Sequence, residues 1–371
     1  MNVLVVDYIG ESVQWMANFC KKDLNILHTI TPKEQYWSRF LESREYDVIL
    51  IFESGKRELF SAMTELFNIP EERVVYAKDI NSWILHKWAV YALLNENSYP
   101  ARTMDYLITK KGKYSTCTVE DISYVGYSND ACILPIMYQS GENWSKRDML
   151  LFYDLANRFY DISDRKYFLD LGANIGTTCI YFKKKIDPSV QVLAFEADPE
   201  TFKILRSNFI LNEMPEESVL ENYGLSDKEG EMALHRCSEN PGANSFFTNH
   251  KQGDILVPLT TLDDYLDRKD INLDEIKYIW IDTEGFEFQV FSGMKKLIST
   301  QNIPIFLEWN PDGYVNSGTF DEFVKLIIDN FVSYIDIKEI KNRNVIVHKT
   351  KDLWNYKGRT DQTDIFLIKQ G

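Results

Sequence analysis

Short apolar runs separated by amphipathic stretches organise most of the chain. Residues 167–171, Tyr167-Phe168-Leu169-Asp170-Leu171, have the near-continuous apolar character of a strand buried on both faces of a parallel sheet. Residues 177–185 set Cys179, Ile180 and Phe182 to one side and predict a helix, and 190–195 predict a second buried strand. The alternation continues. A helix is expected over 201–211, strands over 218–225 and 231–235, and a strand over 257–261 running into a helix at 262–266 with Thr261 as its N-cap. Beyond it come strand 277–281, helix 286–294, strand 303–307, helix 320–329 and strands at 332–337, 344–347 and 364–368. Strands and helices in this succession predict an α/β fold around a mostly parallel sheet.

Residues 1–80 repeat the pattern on a smaller scale. Strands are predicted at 3–6, 24–27, 46–52 and 73–76, with helices over 13–19 and 58–67. A small Rossmann-like α/β domain is expected there, without a cofactor signature, because Gly10 alone makes no phosphate loop and a lone Asp7 reads as a strand-end cap. Residues 81–160 form a connector: a helix at 83–94, a polar stretch, one or two strands within 114–138 and a helix at 146–160. It is expected to cover the acceptor side of a site in the main domain, 161–371. Tyr138, Trp144 and Tyr153 are its candidate lining residues, with core packing the competing fate of each.

The turn after the first main strand carries the chemistry. Gly172-Ala173-Asn174-Ile175-Gly176 joins a strand to a helix, where glycine permits positive φ and close approach of a ligand. The helix start favours an anionic group. Glu196, at the tip of the second strand, is placed to accept bonds from the two hydroxyls of a ribose. The spacing departs from G-x-G-x-x-G, since Asn174 stands in place of the second glycine. Asp170 would repel a pyrophosphate and suits an amino-bearing or cationic ligand. S-adenosylmethionine, with its sulfonium, amino group, carboxylate and ribose, satisfies all of these positions; the competing reading is a generic α/β turn without ligand.

Further acids close the later strands. Asp282 and Glu284 lie two apart at a strand exit, where alternation aims both to one side, and Glu308 ends the next strand. The pair is suited to hold a substrate hydroxyl, serve as a general base, or, with Glu308, chelate a divalent cation. The plainer alternative is that one acid caps the helix after Gly285 while the other is solvated. His235 and His250 flank a polar stretch at 237–245 expected to act as a lid, and His235 is the second candidate base. Neither a histidine spacing for zinc nor a G-x-S-x-G elbow is present.

Composition narrows the partners. A formal net charge of −15, with no basic run beyond Lys183-Lys184-Lys185, excludes nucleic acid as the main partner. Five scattered cysteines without a C-x-x-C pair suggest reduced thiols. No window reaches the apolar length of a membrane span, and the first residues lack a signal-peptide pattern, so a cytoplasmic protein is expected. A small-molecule or glycan acceptor is the expected partner, and self-association into a homo-oligomer stays open.

In order along the chain, Asp170-Leu171-Gly172-Ala173-Asn174-Ile175-Gly176, Phe195-Glu196-Ala197-Asp198-Pro199, Thr261-Leu262-Asp263-Asp264, Ile281-Asp282-Thr283-Glu284-Gly285-Phe286-Glu287 and Leu307-Glu308 resemble the successive motifs of FkbM-type methyltransferases. The resemblance covers roughly residues 160–371. It implies a class I S-adenosylmethionine-dependent methyltransferase fold and O-methylation of a sugar or other hydroxyl by in-line transfer. By position, Asp170, Gly172 and Gly176 would hold the methionine part and Glu196 the ribose, with Asn174, Thr177, Ala197 and Leu225 completing the cofactor contacts. Asp282 and Glu284 would face the transferred methyl. Ala197 and Phe286 depart from the proline and alanine usual in that family. Two rivals remain: a catalytically degenerate scaffold of the same fold, and a nucleotide-dependent oxidoreductase, which the missing G-x-G-x-x-G disfavours.

Overall fold

The computed structural model describes residues 2–6, 25–30, 48–51, 74–76, 114–130, 132–237, 241–247, 252–340 and 344–369. Two compact units divide between Thr109 and Lys110. In the first, β1 (Asn2–Val6), β2 (Asn25–Ile30), β3 (Val48–Ile51) and β4 (Val74–Tyr76) form an all-parallel sheet in the order β2-β1-β3-β4. These are the four strands expected within 1–80. The helices expected at 13–19, 58–67 and 83–94, with Asp7 and Gly10, lie outside the described residues.

The second unit takes in the 110–160 part of the expected connector. Strands β5 (Tyr114–Val119) and β6 (Ile122–Tyr127) form an antiparallel hairpin. Helix α1 (Ile133–Ser140) then replaces the extended chain expected up to 138. The cause is Asp130, whose carboxylate accepts from the amides of Cys132, Ile133 and Leu134 and so nucleates a helical turn. Helix α2 (Lys146–Phe159) follows. Strand β7 (Tyr167–Leu171) leads into α3 (Thr177–Tyr181), which continues as a π-helical turn through Phe182–Ile186.

Strand β8 (Gln191–Phe195), α4 (Pro199–Leu211) and β9 (Val219–Glu221) continue the alternation. The strand expected over 218–225 is split, because the Asn222 amide turns back to donate to the carbonyls of Glu196 and Ala197. Its second part, β10 (Gly224–Leu225), joins β11 (Gly230–Arg236) and β12 (Gln252–Thr260) in a separate small sheet. Thr261 then caps α5 (Leu262–Arg268), its hydroxyl accepting from the Asp264 amide at 3.0 Å. After β13 (Ile276–Ile281) come α6 (Glu287–Ser292), α7 (Lys295–Thr300), β14 (Ile305–Trp309), α8 (Pro311–Asn316) and α9 (Phe320–Asn330). Strands β15 (Ser333–Asp336), β16 (His348–Lys349) and β17 (Thr363–Ile368) complete the unit, the short β16 taking the place of the strand expected at 344–347.

The main sheet runs β16-β15-β17-β14-β13-β7-β8-β9. Strands β9, β8, β7, β13 and β14 are parallel, and β17 is inserted antiparallel between β14 and β15. This succession, parallel with one reversed strand near an edge, is the class I methyltransferase form of the Rossmann-like sheet. One face buries Leu169, Leu171, Phe195, Ile281 and Leu307 against the helices between β12 and β15. The other face is aromatic: Phe168 stacks on Phe182 at 4.4 Å, Trp280 on Phe306 at 3.6 Å, and Phe152 of α2 meets Tyr278 and Trp280 edge-on. Among the described residues no helix is long and apolar enough to cross a membrane.

Candidate active site

After β7 the chain moves outward through β8 to β9, then returns to place β13 on the other side of β7. Strand order therefore reverses between β7 and β13, and a crevice opens beyond the carboxyl ends of these two strands. Their exits touch. The Asp282 amide donates to the Leu171 carbonyl at 3.1 Å, and a Cβ on Gly172 would fall 1.8 Å from the Asp282 carbonyl oxygen. Gly172 also sits at φ 97°, so both space and backbone conformation require glycine. Gly176, at φ 90°, instead packs against helix α4: a Cβ there would meet Leu205 at 2.7 Å.

The turn uses its own amides internally. Gly172 and Ala173 both donate to the Phe195 carbonyl, Gly176 to Ala173, and Asn174 to the Glu196 carboxylate at 2.9 Å. These amides are not free to cradle a pyrophosphate, which agrees with the missing dinucleotide spacing. Glu196 is the beneficiary. One oxygen accepts from Asn174 and the other from the Asp198 amide at 2.8 Å, so the carboxyl is fixed with its outer lone pairs toward the cleft it lines. Burial, then the neighbouring charges of Asp198 and Asp170, push its pKa up to about 7 against the two amide bonds that favour ionisation.

Asp198, two residues on, is the fastening point of the roof. It caps α4, accepts both a 2.5 Å and a 2.6 Å bond from the Arg236 guanidinium, and accepts from Asn244 at 3.0 Å. Strand β11 and the segment between it and β12 are thereby held over the crevice, where Leu234, Gly242, Asn244 and Phe246 line it. The described part of the expected 237–245 lid is thus at the site. His235 pairs through its backbone with Ser245 and is not among the lining residues; His250 lies outside the described residues.

The acids of β13 and β14 face the same space. Asp282, Glu284 and Glu308 all line the cleft. Glu284 has φ 52°, a costly conformation for a non-glycine residue, and three bonds hold the loop in it. The fully buried Glu287 accepts from the Thr283 and Gly285 amides at 2.9 and 3.1 Å, and the Ser245 hydroxyl donates to the Glu284 carbonyl at 2.8 Å. Glu287 thus takes the helix-start amides, leaving Asp282 and Glu284 to the cleft. Its other oxygen accepts from Tyr314, whose hydroxyl also reaches the Glu308 carbonyl. Glu287→Ala would strip these donors of their acceptor, and a loss of about 1–3 kcal/mol in chemical denaturation is expected.

Burial pushes Asp282 well above the carboxylate range, with Glu284 and Asp364 adding to it, and pushes Glu284 up to about 7, with Glu287 adding to it. Glu308 lies inside β14, not beyond its end as expected, because pairing with the antiparallel β17 continues through Glu308–Asp364 and Trp309–Thr363. It is opposite Asp364 of β17, accepts from the Gln362 amide through Oε1, and is pushed well up by burial and then by Asp282. No group of three or more His, Cys, Asp or Glu among the described residues has the arrangement of a metal site, so the suggested chelation by Asp282, Glu284 and Glu308 has no geometric support.

Of the other expected residues, Asn174, Thr177, Ala197 and Leu225 line the cleft beside Gly172. Asp170 is buried beneath the turn near Cys179, 1% exposed, with its Oδ2 lacking a partner among the described residues. Trp144 lines the cleft, whereas Tyr138 bonds the Thr116 carbonyl and Tyr153 packs on Phe182 and Tyr278. Sequence reasoning did not single out Asn208 or Asn143 as supports of the turn. Asn208 ties the Ile175 carbonyl to Val125, and Asn143 ties the Thr177 carbonyl to Tyr124. Both stand beside polar neighbours, Glu142 and Ser207, so no local sign set them apart.

Sheet order and crevice together are those of the class I methyltransferase fold. Residues 170–333 match the family model described as the methyltransferase FkbM domain. Methyltransferase sdnD of Sordaria araneosa is 26% identical over 170 residues, 38% of this chain and 64% of that protein. Methyltransferase 1 of Beauveria bassiana (strain ARSEF 2860) is 25% identical over 160 residues, 37% and 63% respectively. The matched segment spans less than two thirds of either relative. The crystal structure of methyltransferase FkbM from Methylobacillus flagellatus KT aligns over 99% of this chain and 89% of its own, at 13% identity and a TM-score of 0.34, too loose a likeness to assign any residue.

Proposed function

We propose that this chain is an S-adenosylmethionine-dependent O-methyltransferase acting on a hydroxyl of a sugar, glycan or related metabolite. The observation that carries the reading is Glu196: a carboxylate at the tip of β8, aimed into the switch-point crevice by two backbone amides, is a receptor for a ribose diol. The donor set fits the rest of the cofactor. A ligand with two positive groups and one carboxylate suits a cleft lined by acids better than a pyrophosphate does. Gly172 and Ala173 would border its methionine part, and Leu225 with Phe195 its adenine.

When bound, S-adenosylmethionine supplies the methyl group on a sulfonium, already a good leaving group. The protein's task is then to align the acceptor oxygen and take its proton. Glu284, its pKa pushed up to about 7, is the base; Asp282, pushed well up by burial and then by Glu284, positions the acceptor. His235 remains the second candidate base, reachable only if its side chain turns toward the cleft. Calorimetric titration tests the reading. Binding of S-adenosylmethionine but not NAD is expected, with Glu196→Ala weakening it at least about tenfold through lost charge-assisted bonds. Binding of NAD alone would favour the oxidoreductase, and silence with both the scaffold.

A further inference from the structure

Trp144 precedes the segment that matches the family model, yet it lines the cleft. Its backbone is fastened on both sides. Asn143, 5% exposed, donates through its side-chain amide to the carbonyls of Trp144 at 2.9 Å and Thr177 at 3.0 Å, and accepts from the Tyr124 hydroxyl at 2.7 Å. The Glu120 carboxylate accepts from the Asn143 backbone amide at 3.2 Å and from the Lys146 ammonium at 2.7 Å, so one acid brackets the tryptophan. Ser145, inside that bracket, sits at φ 53°, a costly conformation for a non-glycine residue. The half-buried ring held in this way has no aromatic, cationic or side-chain hydrogen-bond partner among the described residues. Strain and several bonds thus serve to present an open indole to the cleft.

The Asn143 bridge fixes where along the cleft the ring stands. One amide reaching both carbonyls sets Trp144 beside the first residue of α3, next to the turn whose Gly172 and Ala173 would border the methionine part of the cofactor. Resting on the methyltransferase reading, we infer that Trp144 covers the amino-acid end of the cofactor and receives its ammonium group on the indole face, in place of the acceptor-lining role expected from sequence. Indole is the aromatic face that attracts a cation most strongly, and the attraction grows as water is excluded. The ribose and adenine parts, which Glu196 and Leu225 would hold, are served by other elements and do not sense this ring.

The test compares two ligands that share adenosine and sulfur: S-adenosylhomocysteine, which carries the amino acid, and 5′-methylthioadenosine, which lacks it. Calorimetry at pH 7 on the full chain reads both affinities. Trp144→Leu is expected to weaken S-adenosylhomocysteine about tenfold and to leave methylthioadenosine within about twofold of wild type. Trp144→Phe keeps an aromatic face and should hold S-adenosylhomocysteine within about threefold. A loss shared equally by the two ligands assigns the ring to folding and overturns the proposal. Unchanged binding of both ligands in Trp144→Leu overturns it too, as does a Phe variant as weak as the Leu one. Wild-type protein that binds neither ligand overturns the methyltransferase reading itself, whereas each of the other failures leaves that reading standing.

Discussion

Converting both strand-exit acids to amides, Asp282→Asn with Glu284→Gln, is expected to lower turnover by about 10²–10⁴-fold, the range that removal of a general base produces. The amides keep the volume of the carboxyls and remove their mutual repulsion. Thermal stability should therefore hold or rise, and the loss belongs to chemistry. The pH profile gives the sign. The working form of Glu284 is ionised, so kcat/KM rises with pH through a midpoint near about 7, and the limb belongs to the carboxyl cluster rather than to one residue. Glu284→Gln alone should flatten it. Initial rates of methyl transfer across pH 5–9 check both statements; near wild-type turnover in the double variant would remove the acids from the mechanism.

Gly172→Ala is expected to be the most damaging single-atom addition in the domain. Its Cβ would lie 1.8 Å from the Asp282 carbonyl oxygen and 2.9 Å from the carbonyl carbon, both backbone atoms that cannot rotate away. Relief requires separating the ends of β7 and β13, which breaks the Asp282–Leu171 bond and opens the crevice floor. The left-handed conformation adds about 1–2 kcal/mol and overpacking about 1–3 kcal/mol. Gly285→Ala is the control: it shares a positive φ of 95° but has nothing within 4 Å, so only the backbone cost should appear. Denaturant midpoints of the two variants separate sterics from conformation, and loss of S-adenosylmethionine binding is expected for Gly172→Ala alone.

Most of the architecture was legible because it rests on local pattern. Buried parallel strands are apolar on both faces, so β7, β8 and β13 declare themselves, and Gly172, Glu196 and Asp282 follow from the strand ends. Errors arose where a distant or single polar group decides the outcome. Asp130 turned an apolar stretch into α1, Asn222 split a strand in two, and pairing with β17 drew Glu308 inside β14. The internal use of the turn amides was invisible because it depends on the Phe195 carbonyl, a partner defined only by strand register. Glu287 stood within a quoted motif, yet its role needs Tyr314, well downstream.

The division of labour between the two sheets has a consequence for engineering. The floor, with Gly172, Asp282 and Glu284, belongs to the main sheet, whereas the roof belongs to the β10-β12-β11 sheet and is anchored at the Asp198 carboxylate. A segment with fixed attachment at Arg236 and Asn244 is an exchangeable cassette. Length and sequence between those two residues can be redrawn to reshape acceptor choice, provided both anchors are kept, without disturbing the strands that carry out the chemistry.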